Sequence, residues 1–238
     1  METITILDSL RLIIGVTILA YASYTDIKTR MASNYLWVIM GLLGAILLLT
    51  HYFLVGFENI YMLAFIPIMI VLVYVFFQLR LIFGGADAKA LMALAILVPI
   101  QPNINELPMW GQSLMPGVWQ VFSNSIILFL FIPLSLLVIN ILKRNFSLPH
   151  MFLGYKMKIS TAKEKFVWPL EKIVEGKRKF VYMPKEFDID KELNEFEKNK
   201  FDEIWVTPKI PFMIPLLGGF IVTFFFGDIL FYLMNVLI

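Results

Sequence analysis

Apolar residues run almost unbroken over six stretches of this chain, and polar ones gather between them. The stretches are about 4–24, 35–55, 60–79, 91–100, 120–142 and 211–238. A helix that crosses a bilayer needs about 20 mostly apolar residues, so the pattern predicts six membrane spans. The fourth is short. Even begun at Asp87 it reaches only 14 residues, about 21 Å at 1.5 Å per residue, against a hydrocarbon core of about 30 Å. Either protein-covered backbone extends it, or it starts below the membrane surface. In the sixth, Pro215 and the Gly218-Gly219 pair predict a bend.

Between 143 and 207 the pattern changes, with 14 basic and 11 acidic residues among scattered aromatics. Alternation over 155–160 predicts a strand. Glu175-Gly176, between alternating arms in 172–183, predicts a hairpin. A short helix over 190–200, capped by Asp190, and a strand over 201–206 follow. A segment this small buries only a modest core, so it is expected to lean on the membrane domain or on lipid headgroups. The fold class expected is therefore membrane all-α: six transmembrane helices with a small α+β soluble insert between helices five and six. The membrane domain is read as 1–142 and 208–238, the insert as 143–207.

Composition agrees. Of 238 residues 59% are hydrophobic and 16% charged, where a soluble domain has about 25% charged. The first apolar run has no basic leading region and reads as a retained helix, not a cleaved signal. The absence of cysteine excludes disulfides, thiol nucleophiles and cysteine-based metal centres. His51 and His150 are far apart in sequence, and no histidine-rich metal site is expected. The net charge of +2 gives no reason to expect nucleic acid, because the signs are segregated along the chain. With both termini outside, all but Arg11 of the 20 basic residues fall on one side, the cytoplasmic one. Arg11 and Asp228, both in outer halves of spans, are expected to pair structurally. Trp110 and Trp119, in the outer loop 101–119, read as interfacial anchors.

Two acids stand where apolar runs end. Asp26 closes the first, and Asp87 follows Gly84, Gly85 and Ala86 ahead of the fourth. One helical hairpin separates them, so both return to the cytoplasmic face. Carboxylates held close share a proton, since both cannot ionise cheaply. One then takes a proton from water while the other polarises a carbonyl, which is aspartyl-protease chemistry and needs no metal or cofactor. Gly84 and Gly85 allow a tight turn and room for a peptide. The plainer readings are a helix cap for Asp87 and a surface ion pair with Lys28 or Arg30 for Asp26.

In these residues the chain resembles the GxGD membrane aspartyl proteases, and within them the archaeal preflagellin (class III signal) peptidases, related to type IV prepilin peptidases. Three stretches carry the resemblance: Asp26-Ile27-Lys28-Thr29-Arg30 with Asn34; Gly84-Gly85-Ala86-Asp87, where Ala86 stands in place of the motif's second glycine; and 207–212 leading into Pro215-Leu216-Leu217-Gly218. The resemblance implies an endopeptidase with Asp26 and Asp87 catalytic, its partners preflagellin or prepilin-like precursors and membrane lipid. Such precursors carry short basic leaders, cut just before an apolar helix at the cytoplasmic face. Without cysteines or room before helix one, no methyl transfer is expected. A substrate-free state is expected to hold the two acids too far apart to share a proton. The alternative from another class is an ion- or proton-coupled transporter using the same acids, whose site would sit nearer the bilayer midplane. Cleavage of helices already spanning the membrane is the other protease reading, and the edge position of the acids argues against it.

Overall fold

The computed structural model describes residues 2–57, 60–79, 82, 84–111, 113, 115–165, 167–181, 188–208 and 211–237. The chain divides into two compact units, Met1–Phe129 with Pro211–Ile238, and Leu130–Ile210.

The first unit is helical. It contains α1 (Glu2–Thr29), α2 (Asn34–Leu54), a 3-10 turn (Ile60–Ala64) leading into α3 (Phe65–Gln78), α4 (Gly85–Leu97) and the start of α5 (Gly117–Leu142). Among the described residues, four helical stretches are long and apolar enough to cross a membrane: α1, α2, the 3-10 turn with α3, and α5. The sixth expected span is a bent pair that would count as a fifth. The fourth expected span, α4, has 13 residues, about 20 Å of helix, so length alone does not make it a crossing. It is instead wrapped by protein. α4 packs on α1, α2 and α3, and Ala88, Ala90, Leu91, Ala93, Leu94, Ala95 and Leu97 are all buried. Its alanines suit that position, because small side chains let helices approach closely where lipid gives no hydrophobic drive. On α2, Gly44 meets the backbone of α4, where a Cβ would lie 2.8 Å from Leu97 Cα.

In the second unit lie α6 (His150–Leu153), β1 (Tyr155–Lys158), α7 (Ile159–Glu164), β2 (Val167–Pro169), β3 (Glu171–Val174), β4 (Lys177–Phe180), α8 (Ile189–Lys198) and β5 (Glu203–Pro208). β5 is the middle strand of an antiparallel sheet, between β1 and β2. Met157, Ile159, Val167, Leu193, Phe196, Ile204 and Val206 form its core. The expected hairpin is β3–β4. Its two central residues, Glu175 and Gly176, have φ of 54° and 72°, the doubly left-handed pair of the turn that matches strand twist. The expected strands appear as β1 and β5. The part of the hairpin reading that includes Met183 lies outside the described residues. The cap of α8 is Asp188, not Asp190. The Asp188 carboxylate accepts from Lys191 N at 3.2 Å, while Asp190 lies inside the first turn. Glu171 is buried and held by three groups: Trp205 N donates to it at 3.0 Å, Arg178 pairs with it at 3.1 Å, and His150 Nε2 lies 3.9 Å away.

α9 (Met213–Phe225) and α10 (Ile229–Leu237) belong to the first unit and meet at 60°. The bend is not where Pro215 and Gly218-Gly219 predict it. Pro215 sits in the first turn of α9, where its missing N–H costs nothing. Gly219 lets α9 close on α5, since a Cβ there would meet Ser125 N at 2.6 Å. The break falls at Gly227, with φ of 104°. The Asn124 side chain spans it, donating to Gly227 O at 2.8 Å and accepting from Ile229 N at 3.0 Å.

The expected Arg11–Asp228 pair is absent. Arg11 pairs with Asp8, three residues earlier on its own helix, at 2.5 Å, and lies 3.4 Å from His51 Nδ1. Asp228 instead accepts from Ser113 Oγ at 3.0 Å and from Phe231 N at 3.2 Å. Arg11 finds its acid one turn back on its own helix, while Asp228 is met by Ser113 from the 101–119 loop and by the main chain of its own turn. Trp110 stacks on Tyr232 with ring centres 4.4 Å apart, and Trp119 meets Phe122 edge-on at 6.1 Å.

Candidate functional site

Asp26 lies one turn from the end of α1. Its carbonyl accepts the closing bond from Arg30 N at 3.0 Å, and its side chain is half-buried. Carboxylates are unfavourable at a helix C-terminus, where carbonyl ends already carry partial negative charge. Lys28 does not offset Asp26 directly, because its ammonium lies over the Tyr24 ring, 4.6 Å from the centre. Arg30 is within electrostatic reach of the Asp26 carboxylate.

Asp87 is in the first turn of α4, three residues after the N-cap Gly84. That is a favourable place for an acid against the helix dipole. Its carboxyl folds back over Gly84: a Cβ added to Gly84 would collide with Asp87 Oδ2. The glycine therefore gives room to this acid's own side chain. It needs no unusual backbone to do so, as its φ is −87°. Gly85 begins the helix and has Phe77 as its nearest neighbour, at 3.7 Å from a would-be Cβ. Phe83, which opens this stretch in the sequence, lies outside the described residues, as do Lys209 and Ile210 of the third matching stretch.

α1 and α4 are in contact, and the Asp26 carboxylate is near enough to act electrostatically on that of Asp87. No hydrogen bond joins the two carboxyls among the described residues. Lys89, two residues beyond Asp87, donates to Asn34 Oδ1 at 2.8 Å and so ties α4 to the start of α2. At this end of α1 the surface is indented by a groove lined by Thr25, the chain neighbour of Asp26, and by Tyr21, Thr29, Met31, Asn34 and Tyr35 among others. The sequence reading missed this groove. Its signal was the 21, 25, 29 spacing, four residues apart on one helical face. Among the described residues no group of three His, Asp or Glu side chains is arranged to hold a metal ion.

Fold and site together define a class: a membrane protein of several apolar helices that presents two acids at the ends of neighbouring helices. Residues 13–142 match the type IV leader peptidase family, and residues 147–229 match the type II C-terminal region of the archaeal members of the same peptidase group. The chain belongs to the type IV leader peptidase family. It is similar to the preflagellin peptidase of Methanocaldococcus jannaschii, 29% identical over 232 residues that cover 91% of this chain and 93% of that one. It is also 30% identical to the preflagellin peptidases of Methanococcus maripaludis and Methanococcus voltae, over 91% and 90% of its length and 94% of each of theirs. The resemblance read from the sequence is thereby borne out. The transporter alternative gains no support from these relatives.

Proposed function

We propose that this chain is a membrane-embedded aspartyl endopeptidase that removes the short basic leader from preflagellin and related precursors at the cytoplasmic face. The observation that carries this reading is the approach of Asp26 and Asp87, each at a helix end, within electrostatic reach of each other. Support comes also from relatives named as preflagellin peptidases. Catalysis then needs one carboxyl protonated and one ionised. The ionised group takes a proton from water, and the resulting hydroxide attacks the scissile carbonyl carbon. The protonated group donates to the carbonyl oxygen. Collapse of the tetrahedral intermediate breaks the C–N bond and passes a proton to the leaving amine. No metal or cofactor enters, and no methyl transfer follows.

The orientation fits this reading. With Lys28, Arg30 and Lys89 cytoplasmic, a basic leader stays in water while the apolar segment after the cut lies in the bilayer. The scissile bond is then at the membrane edge, where Asp26 and Asp87 are. Vesicles bearing the protein, incubated with preflagellin and followed by mass, should show loss of the leader. Asp26→Asn and Asp87→Asn should each insert normally and cleave nothing. Cleavage by either variant overturns the two-acid mechanism.

A further inference from the structure

The groove at the Asp26 end of α1 has a volume of about 480 Å³. Tyr21, Thr25 and Thr29 of α1 line it together with Met31, Asn34 and Tyr35 from the turn into α2. Every side chain lining it is uncharged. The threonine hydroxyls are already used: Thr25 donates to Ala22 O at 3.0 Å and Thr29 to Thr25 O at 2.8 Å. The Asn34 amide oxygen is taken by Lys89. Its threonine hydroxyls and amide oxygen therefore ask little hydrogen bonding of a ligand, with Ser33 and the two tyrosine hydroxyls as its other polar groups. What it leaves open is apolar surface: Tyr21, Met31 and Tyr35 are 56%, 71% and 78% exposed.

Its position ties it to the two acids from both sides. Asp26 follows Thr25 directly on α1, and Asn34 at the other border is held by the α4 turn that carries Asp87. On the two-acid reading, a peptide cut between the acids would run past the segments that line this groove. Charge decides which side of the peptide enters. The basic leader would find no acid among the lining residues to hold it. The apolar residues that follow the cut match the exposed apolar surface of Tyr21, Met31 and Tyr35. We infer that the groove between Tyr21 and Tyr35 is the subsite for the first apolar residues on the mature side of the cleaved bond, held extended, and that it sets specificity there. This rests on the peptidase reading above.

Two measurements test it, both on the full chain in vesicles. First, a photoreactive benzoylphenylalanine replaces Tyr35 or, separately, Tyr21, and crosslinks to preflagellin are mapped by mass spectrometry. They should fall on the residues just after the cut. Crosslinks confined to the leader, or none while cleavage proceeds, overturn the inference. Second, Met31→Glu should raise KM about tenfold, a loss of about 1.4 kcal/mol of binding, with kcat little changed. A precursor with lysine at one of the first mature positions should recover much of that loss with the variant, and should be a poor substrate for the unaltered protein. A merely structural role for Met31 would give no such recovery, and its absence overturns the assignment. Failure of the unaltered protein to cleave any precursor would instead overturn the peptidase reading, so the two failures are distinct.

Discussion

Helices α3 and α4 follow each other in the chain and are opposites in environment. α3 is mostly Val, Ile, Phe and Tyr, and only Met69 and Val73 of it are buried. Ile68, Val71 and Tyr74 are more than half exposed, which for a spanning helix means exposed to lipid. α4 is shorter, richer in alanine and buried on nearly every face. Lipid-facing helices need apolar bulk; a helix surrounded by other helices needs small residues and a fixed position. The acid Asp87 is carried by the second kind. On the mechanism proposed above, such an acid is best aimed by an element that cannot shift, and α4 is gripped by α1, α2 and α3 together.

The contrast can be broken or sharpened by substitution. The largest effect should come from Asp87→Asn, which leaves the packing of α4 alone and removes a titrating group. Leader cleavage, followed by mass, should be abolished, while replacement of an exposed side chain on α3 should do nothing comparable. Next, Gly84→Ala crowds the Asp87 carboxyl without touching the buried face of α4. It should lower kcat about a hundredfold, as a displacement of about 1 Å does at a reacting group, with unfolding in micelles little changed. Unchanged kcat would show that Asp87 is free to sit elsewhere.

Packing should separate the helices more gently. Ala93→Leu overfills the surroundings of α4 and should cost about 1–3 kcal/mol, read from denaturant unfolding in micelles. Val71→Leu on α3 should stay within about 0.5 kcal/mol. Equal costs would erase the distinction.

The smallest effect is a control on pH. Burial and Arg178 lower the His150 pKa in the second unit, with Glu171 opposing them. A histidine depressed on folding favours its neutral form. The stability it lends is complete above its ordinary value of about 6.5 and is lost as pH falls through the lower folded value. Protection of 130–210 from proteolysis should therefore weaken as pH falls from about 7 to about 5, and His150→Phe should flatten that decline. If His150→Phe also moves the acid limb of the cleavage profile, that limb belongs to the insert and not to α4.

Much of this arrangement was legible in the sequence because it rests on counting. One helical hairpin, α2 and α3, separates Asp26 on α1 from Asp87 on α4, and α1 and α4 are in contact; that reading survives errors of several residues in each boundary. Glu175-Gly176 announced its hairpin because few residue pairs take two left-handed conformations in a row. The fourth apolar run, expected as one of six spans, is a 13-residue helix surrounded by α1, α2 and α3, a surrounding that its length alone did not announce. What could not be read was partner choice. Arg11 had Asp8 within one turn and Asp228 across the bundle, and an ion pair on a single helix needs no tertiary cooperation. The cap of α8 slid to Asp188 for a similar reason: several acids in succession could each begin that helix. The bend in the last span was assigned to the residues with bending reputations. Pro215 and Gly219 are used for a helix start and a close approach, and the turn went to Gly227.

The Asn124 side chain at that turn has a wider meaning. A carboxamide carries the same complement as a peptide unit, a donor and an acceptor. By meeting Gly227 O and Ile229 N it acts as a borrowed piece of main chain, grafted from α5 into the gap between α9 and α10. Main-chain groups left open in lipid are heavily penalised, so the graft turns a weak point into a welded elbow. Neither isosteric stand-in would serve: aspartate lacks the donor and leucine lacks both groups. The angle between α9 and α10 is thus written in a residue about a hundred positions away, on a different helix.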